Sequence, residues 1–365
     1  IIQVFSFYTY NYNKATIMLI NRDIICTEDL TKEEILSIIQ LATKMKKDPN
    51  NEKWVNCMSH KNFIMLFFSP SVRTHLSFST AATALGGHAQ YITAAMGRFK
   101  SRFVDGETIE DVAQVMSKFS CGIGIRIMEN EISFYGEGND IIREYAKWAE
   151  VPVINMADDK CHPCQAMADV MGWAEWLKNK SSEEANLECL RGKKLLLTWG
   201  KGTLARSWNS PQAALLLASR LGLNITIARP DGYDLDTEIC HKVKDYCHLN
   251  SANFSIIDDP DEGYKDADIV YSRHWLSSNA YVDGHLQKQV ETDQALNLKD
   301  WMTTKKKMEW TNNAIFTHPM PVDRDNEVES EVASGSRSAI YTIAENRLHI
   351  GKAVLALTMG NLKNK

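Results

Sequence analysis

The sequence predicts an α/β protein of two domains, each a parallel sheet covered by helices. Short apolar runs of strand length alternate with longer amphipathic stretches along most of the chain, the mark of βα units. The 365 residues suffice for two domains of ordinary size. A boundary between two such units falls near Ile154 to Asp169.

Taken in order, Thr31 followed by Glu34 forms a capping box, and Leu36, Ile38, Ile39 and Leu41 give the helix it opens an apolar face. Asn62 to Phe68 reads as a buried strand and stops at Ser69-Pro70-Ser71, a turn and helix-start signal. The helix that follows runs through Phe78 to Leu85 and ends at Gly86-Gly87. Strand-like runs recur at 122–128 and 151–156. The second half alternates more regularly. Strands are expected at 193–199, 224–228, 268–271 and 315–318, and helices at 211–221 and 235–246. The polar segment 178–188 reads as a surface loop, and 344–359 as a final helix that packs back on the first domain.

Composition narrows the function. Apolar residues make up 44% and charged residues 24%, a globular profile. With 41 Lys and Arg against 46 Asp and Glu, the net charge of −5 argues against nucleic acid as the main partner, so an anion site must be local. No apolar run approaches the ~20 residues of a membrane helix. The eight cysteines are scattered, so reduced thiols and a cytoplasmic location are expected. The aromatic stretch 1–17 lacks the plan of a secretory signal, and Met18 is the expected start.

Three segments carry chemistry. Ser69-Pro70-Ser71-Val72-Arg73-Thr74 follows a buried strand and opens a helix. There free N–H groups and the helix dipole favour phosphate, and Arg73 adds a planar fork of donors. Alone, it is equally a helix cap with an exposed Arg. His162-Pro163-Cys164-Gln165 places an imidazole and an amide at a strand-to-helix junction, suited to polarising a carbonyl; alone, it is more often a turn. His318-Pro319-Met320-Pro321 fixes an extended backbone that presents carbonyl groups; alone, it is a Pro-rich turn.

Together, in this order and spacing, these motifs resemble the aspartate/ornithine carbamoyltransferase family over nearly the whole chain, from about Asp29 to Gly360. Asp105 to Asp111 is similar to the family's mobile loop and the helix after it. Gly124-Ile125-Arg126 and Glu345 to His349 look like the elements that deliver two further arginines. The resemblance implies that residues 18–154, completed by 344–362, bind carbamoyl phosphate, and that 155–343 bind an amino-acid acceptor. It implies that Ser71, Val72, Arg73, Thr74, Arg126, His162, Gln165, Met320 and Arg347 hold the carbamoyl phosphate, with Arg73, Thr74, His162 and Gln165 catalytic. His75 stands where the family has a further Arg. The implied reaction is attack of a neutral amine on the carbonyl carbon, with phosphate leaving. It calls for no metal, covalent intermediate or organic cofactor. A homotrimer with sites between subunits is also implied.

The acceptor is expected to be an ornithine-like amino acid. The long 199–212 loop, Thr198-Trp199 and Glu345 to His349 look most like the knotted N-acetylornithine branch, so a knotted loop is expected in the second domain. His318-Pro319-Met320-Pro321 is itself nearer the aspartate enzymes' His-Pro-Leu-Pro, which keeps aspartate or another carboxylate-bearing amine in view. Arg98, Lys100, Arg102, Lys201, Arg206 and Arg273 lie on acceptor-side loops and, with Pro319, are the expected acceptor contacts; the plain alternative for each is a solvated basic face. Three rivals remain. Gly200-Lys201-Gly202-Thr203-Leu204-Ala205 matches a dinucleotide fingerprint, although Ala228-Arg229 supplies no acidic ribose partner. Cys161-His162-Pro163-Cys164 has half the ligands of a zinc site. A catalytically silent relative that still binds carbamoyl phosphate is the third.

Overall fold

The structure is a computed structural model that describes residues 16–96, 106–177 and 187–362. Two parallel sheets organise it. In the first, β1 (Asn62–Phe67), β2 (His88–Thr93), β3 (Gly122–Arg126) and β4 (Val153–Ala157) lie in the order β2-β1-β3-β4. In the second, β5 (Lys194–Trp199), β6 (Asn224–Ala228), β7 (Phe254–Ile257), β8 (Ile269–Arg273) and β11 (Ile315–Thr317) lie in the order β11-β8-β5-β6-β7. A short antiparallel hairpin of β9 (Tyr281–Val282) and β10 (His285–Leu286) stands apart.

The helices covering the first sheet are α1 (Lys32–Lys47), α2 (Val72–Ala84), α3 (Ile109–Phe119) and α4 (Glu137–Trp148). Those after it are α5 (Pro163–Leu177), α6 (Asn209–Arg220), α7 (Thr237–Leu249), α8 (Lys288–Asn297), α9 (Lys305–Glu309), α10 (Ser330–Ala333) and α11 (Ile340–Met359). The Thr31–Glu34 capping box is present: Thr31 Oγ1 accepts from Glu34 N–H, and Glu34 accepts from Thr31 N–H. β1 is buried from Phe63 to Phe67, as a central parallel strand covered on both faces must be. β2 and β7 are partly exposed edge strands, and their mixed sequences HAQYIT and FSII explain why periodicity did not reveal them.

The fold positions the site in two ways. In each sheet a central strand has neighbours that leave in opposite directions, β1 between β2 and β3, and β5 between β6 and β8. Such switch points open a crevice beyond the strand C-termini. The motif at Ser71 to Thr74 follows β1, and Arg126, paired with Phe67, ends β3. Arg273 ends β8 opposite Trp199 of β5. Second, α11 returns across the molecule and packs on α1, α2 and α5. It approaches α5 so closely that a Cβ on Gly172 would lie 2.6 Å from Ile343 Cγ1. Gly172→Val is therefore expected to destabilise the fold by about 1–3 kcal/mol through overpacking. A thermal melt will read this as a lowered Tm; an unchanged Tm would mean that α11 can move away at no cost.

The cysteine expectation needs correction. Cys26 and Cys161 form a disulfide, with Cα atoms 5.6 Å apart. They lie 135 residues apart in sequence, and the bridge between Ile24 and Ile154 brings their segments together. Spacing alone carried no sign of this pairing, and the cysteine pattern therefore no longer argues for a reducing compartment. Cys57, Cys121, Cys164, Cys240 and Cys247 carry free thiols. No helix among the described residues is long and apolar enough to cross a membrane.

Candidate active site

The site begins at the N-terminus of α2. Ser71 is its N-cap: Oγ accepts from Thr74 N–H at 3.3 Å and donates to Thr74 Oγ1 at 3.1 Å. Val72, the first helical residue, turns its side chain outward and is 72% exposed, leaving its backbone as its contribution here. Arg347 arrives from α11, donating to Thr74 Oγ1 at 3.2 Å and to Gln165 Oε1 at 3.0 Å. Gln165 and His162 come from the start of α5, where Pro163 occupies the first turn. A cavity of about 250 Å³ is lined by Arg73, Gln165, Pro319, Met320 and Arg347, among others.

The electrostatics are those of an anion site. Burial pushes the Arg126 guanidinium down to about 10, helped by repulsion from Arg347, Arg73 and Arg206. Burial likewise brings Arg347 to about 10, with Arg73 adding to the shift. Arg73, exposed where it lines the cavity, is lowered by partial burial and by Arg273. Buried guanidiniums that repel one another persist only where something anionic pairs with them. Buried Nε atoms of Arg126, Arg273 and Arg347, and Nδ1 of His162, have no protein partner. Burial, then Arg347, Arg126 and Arg273, holds His162 well below the ordinary imidazole range, so its ring is neutral.

The second sheet supplies the facing wall. Arg273 is buried, its Nη1 3.5 Å from the Pro321 carbonyl, and its own carbonyl accepts from Gly200 N–H. Arg206 is lowered to about 10, first by burial and then by Arg273. Lys201 donates its backbone N–H to the Trp301 carbonyl and does not line the cavity. Arg98, Lys100, Arg102 and Asp105 lie outside the described residues. The loop after β5 is packed against the segment after β8: Trp199 and Trp208 donate indole N–H groups to the carbonyls of Trp275 and Leu276.

Three readings change here. His318 to Pro321 is a tight turn rather than an extended strand. Met320 has φ +59°, its N–H is accepted by His318 Nδ1 at 2.9 Å, and Met320-Pro321 is cis. The glycines at 200 and 202 open no helix, since α6 begins only at Asn209, so the dinucleotide geometry is not built. Cys161, being in a disulfide, is not a zinc thiolate. His75 stacks on Tyr91 at 4.6 Å between ring centroids and takes a packing role.

Sequence reasoning missed three acids. Glu327 accepts from His318 Nε2 at 3.0 Å, and from the backbone N–H groups of His274 and Asp323 at 2.7 Å each. Burial works against its ionisation, but His318, Arg273 and the Asp323 N–H outweigh it and hold the carboxyl at about 2. Glu129 accepts from Ser207, and its carbonyl accepts from the Tyr281 hydroxyl at 2.7 Å, tying the loops of the two sheets together. Asp169 accepts from Gln165 Nε2 at 2.8 Å. Only Asp169 left a local signal, its four-residue spacing from Gln165 on one helix.

Comparison with known proteins agrees with this geometry. Residues 22–175 match the aspartate/ornithine carbamoyltransferase carbamoyl-P binding domain, and residues 203–358 match the Asp/Orn binding domain of the same family. The anabolic ornithine carbamoyltransferase of Pyrococcus furiosus is 31% identical over 347 residues, covering 95% of this chain and 99% of that protein. The ornithine carbamoyltransferase of Methanosarcina mazei is 33% identical over 346 residues, covering 93% and 99%. Among solved structures, an acetylornithine transcarbamylase complexed with acetylcitrulline superposes with a TM-score of 0.82 at 27% identity, covering 93% of this chain and 99% of that one. The Pyrococcus furiosus ornithine carbamoyltransferase structure gives 0.78 at 30% identity, covering 95% and 100%. With both halves matched in order and the arginine-lined crevice at their junction, the chain belongs to the aspartate/ornithine carbamoyltransferase family.

Proposed function

We propose that the protein moves the carbamoyl group of carbamoyl phosphate to the amine of an ornithine-like amino acid, releasing phosphate. The observation that carries this reading is the convergence of Arg73, Arg126 and Arg347 beside a neutral His162 and the Gln165 amide. Ser71, the backbone of Val72, Arg73, Thr74 and Arg126 take the phosphate, as helix N-termini and planar guanidiniums do. The carbonyl oxygen is met by His162, Thr74 and Arg73, whose donors strengthen as it becomes an oxyanion, an effect of roughly 3–4 kcal/mol for a well-placed donor, and Arg347 completes the pocket. Gln165 and the Met320 carbonyl accept from the carbamoyl NH2. The amine attacks the carbonyl carbon in line with the departing phosphate, whose charge the arginines hold.

In this reading residues 18–154, with 344–362, form the donor half and 155–343 the acceptor half. Arg206 and Arg273 face the acceptor, assisted by Lys201, Lys100 and Pro319, and they favour one with a carboxylate. Arg273→Ala is expected to raise the acceptor KM roughly 10- to 100-fold, the worth of a charged hydrogen bond, and to spare the KM for carbamoyl phosphate. Initial rates with ornithine, N-acetylornithine, N-succinylornithine, aspartate and putrescine test both claims. No turnover with any of them would leave a carbamoyl-phosphate-binding relative without catalysis. A homotrimer belongs to the same reading; sedimentation measures it.

A further inference from the structure

Gln165 is held at both ends. Its Oε1 accepts from Arg347 Nη1 at 3.0 Å, and its Nε2 donates to Asp169 Oδ1 at 2.8 Å. The two ends of an amide look alike in shape but differ in chemistry, one accepting and the other donating. The flipped amide would set Nε2 against the Arg347 donor and Oε1 against the Asp169 oxygen, two repulsive contacts in place of two bonds. One orientation therefore survives, with the accepting oxygen turned toward Arg347 and the cavity that both residues line.

The two anchors are not equivalent. Arg347 lines the cavity and also bonds Thr74, so a bound donor competes for its guanidinium. Asp169 is fully buried and does not line the cavity. It faces Tyr271 of β8, behind the site, and no ligand in the cavity competes for it. Burial raises its carboxyl to about 7, and the Gln165 N–H, Arg347 and Tyr271 act against that rise. As a carboxylate it only accepts, and that is the form that fixes the amide.

Resting on the carbamoyl-phosphate reading above, we propose that Asp169 is the positioning residue that makes the protein select a carbamoyl donor over an acyl donor of the same shape. Carbamoyl phosphate and acetyl phosphate differ where one has NH2 and the other CH3. An oxygen held toward that group bonds the first and is left unpaired by the second, and a site built this way rejects the analogue that lacks the N–H. Without Asp169 the amide, its Arg347 bond loosened by the ligand, turns freely and presents its own N–H as often as its oxygen.

The test compares the binding of carbamoyl phosphate and of acetyl phosphate to the full chain, by titration calorimetry or competition. Asp169→Leu is expected to reduce the carbamoyl-over-acetyl preference about twofold, the loss when only half of the amide population offers its oxygen, chiefly by weakening carbamoyl phosphate. Asp169→Asn can turn either its oxygen or its NH2 to Gln165, so it no longer fixes the amide and is expected to lose the preference as the Leu variant does. In a Gln165→Ala background, Asp169→Leu is expected to change the preference no further, because its effect runs through Gln165. Should the Leu variant not fold, Asp169→Ala carries the same expectation without added volume. A Leu, Ala or Asn variant with an undiminished preference overturns the role of Asp169 alone. Failure of the unsubstituted protein to bind carbamoyl phosphate overturns the functional reading and this inference with it.

Discussion

Replacing Arg347 by Met is expected to raise the KM for carbamoyl phosphate by roughly 10²- to 10⁴-fold, the largest effect of any single substitution in the donor site. Each hydrogen bond from a charged group contributes about 1.5–3 kcal/mol, and Arg347 offers two Nη groups and an unpartnered Nε. The change also strips Thr74 and Gln165 of a partner, which compounds the loss. Met keeps most of the side-chain volume against α5, so the fold is expected to survive. Steady-state kinetics with a parallel melting curve separate the two effects. A variant with an ordinary KM and an ordinary Tm would remove Arg347 from the donor site.

The second large effect is on turnover. His162→Ala is expected to lower kcat roughly 10²- to 10³-fold while changing the KM for carbamoyl phosphate little, because a donor to the developing oxyanion acts most strongly in the transition state. The pH dependence gives an independent check. The folded-state pKa of His162 lies well below 6.5, so the ring is already neutral at pH 6.5 and stays neutral as pH rises. No limb of the pH–rate profile between pH 6.5 and 9 can then belong to it; a rising limb there belongs to deprotonation of the acceptor amine. His162→Asn should lower the whole profile without moving that limb. A limb that shifts or disappears in the Asn variant would show a titrating base at position 162 and sink this account.

Much of this site is legible in the chain. Ser71-Val72-Arg73-Thr74 sits between a run of apolar residues and an amphipathic helix, so its helix-start chemistry can be read locally, and α2 indeed begins at Val72 with Ser71 as its cap. The capping box at Thr31 and the strands from Phe63 and Leu195 are likewise local facts of side-chain spacing. The edge strands β2 and β7 are not, because a strand half open to water need not be apolar. Nor was the His318 turn, where the two prolines read as extended backbone until the His318 ring took the Met320 N–H.

What the sequence determined by itself was the order of elements and the two-sheet architecture, since each depends on residues within a few positions of one another; the arginines, imidazole and amide of the proposed donor site rest on the resemblance carried jointly by widely spaced motifs. What only the tertiary structure decided was everything that joins distant segments. It brought Arg347 onto Thr74 and Gln165, placed Arg206 and Arg273 opposite, paired Cys26 with Cys161, and buried Asp169, Glu129 and Glu327 behind the loops they hold. The reason is that a buried ionised or polar side chain is stable only through partners, and those partners come from whichever segments the fold sets side by side.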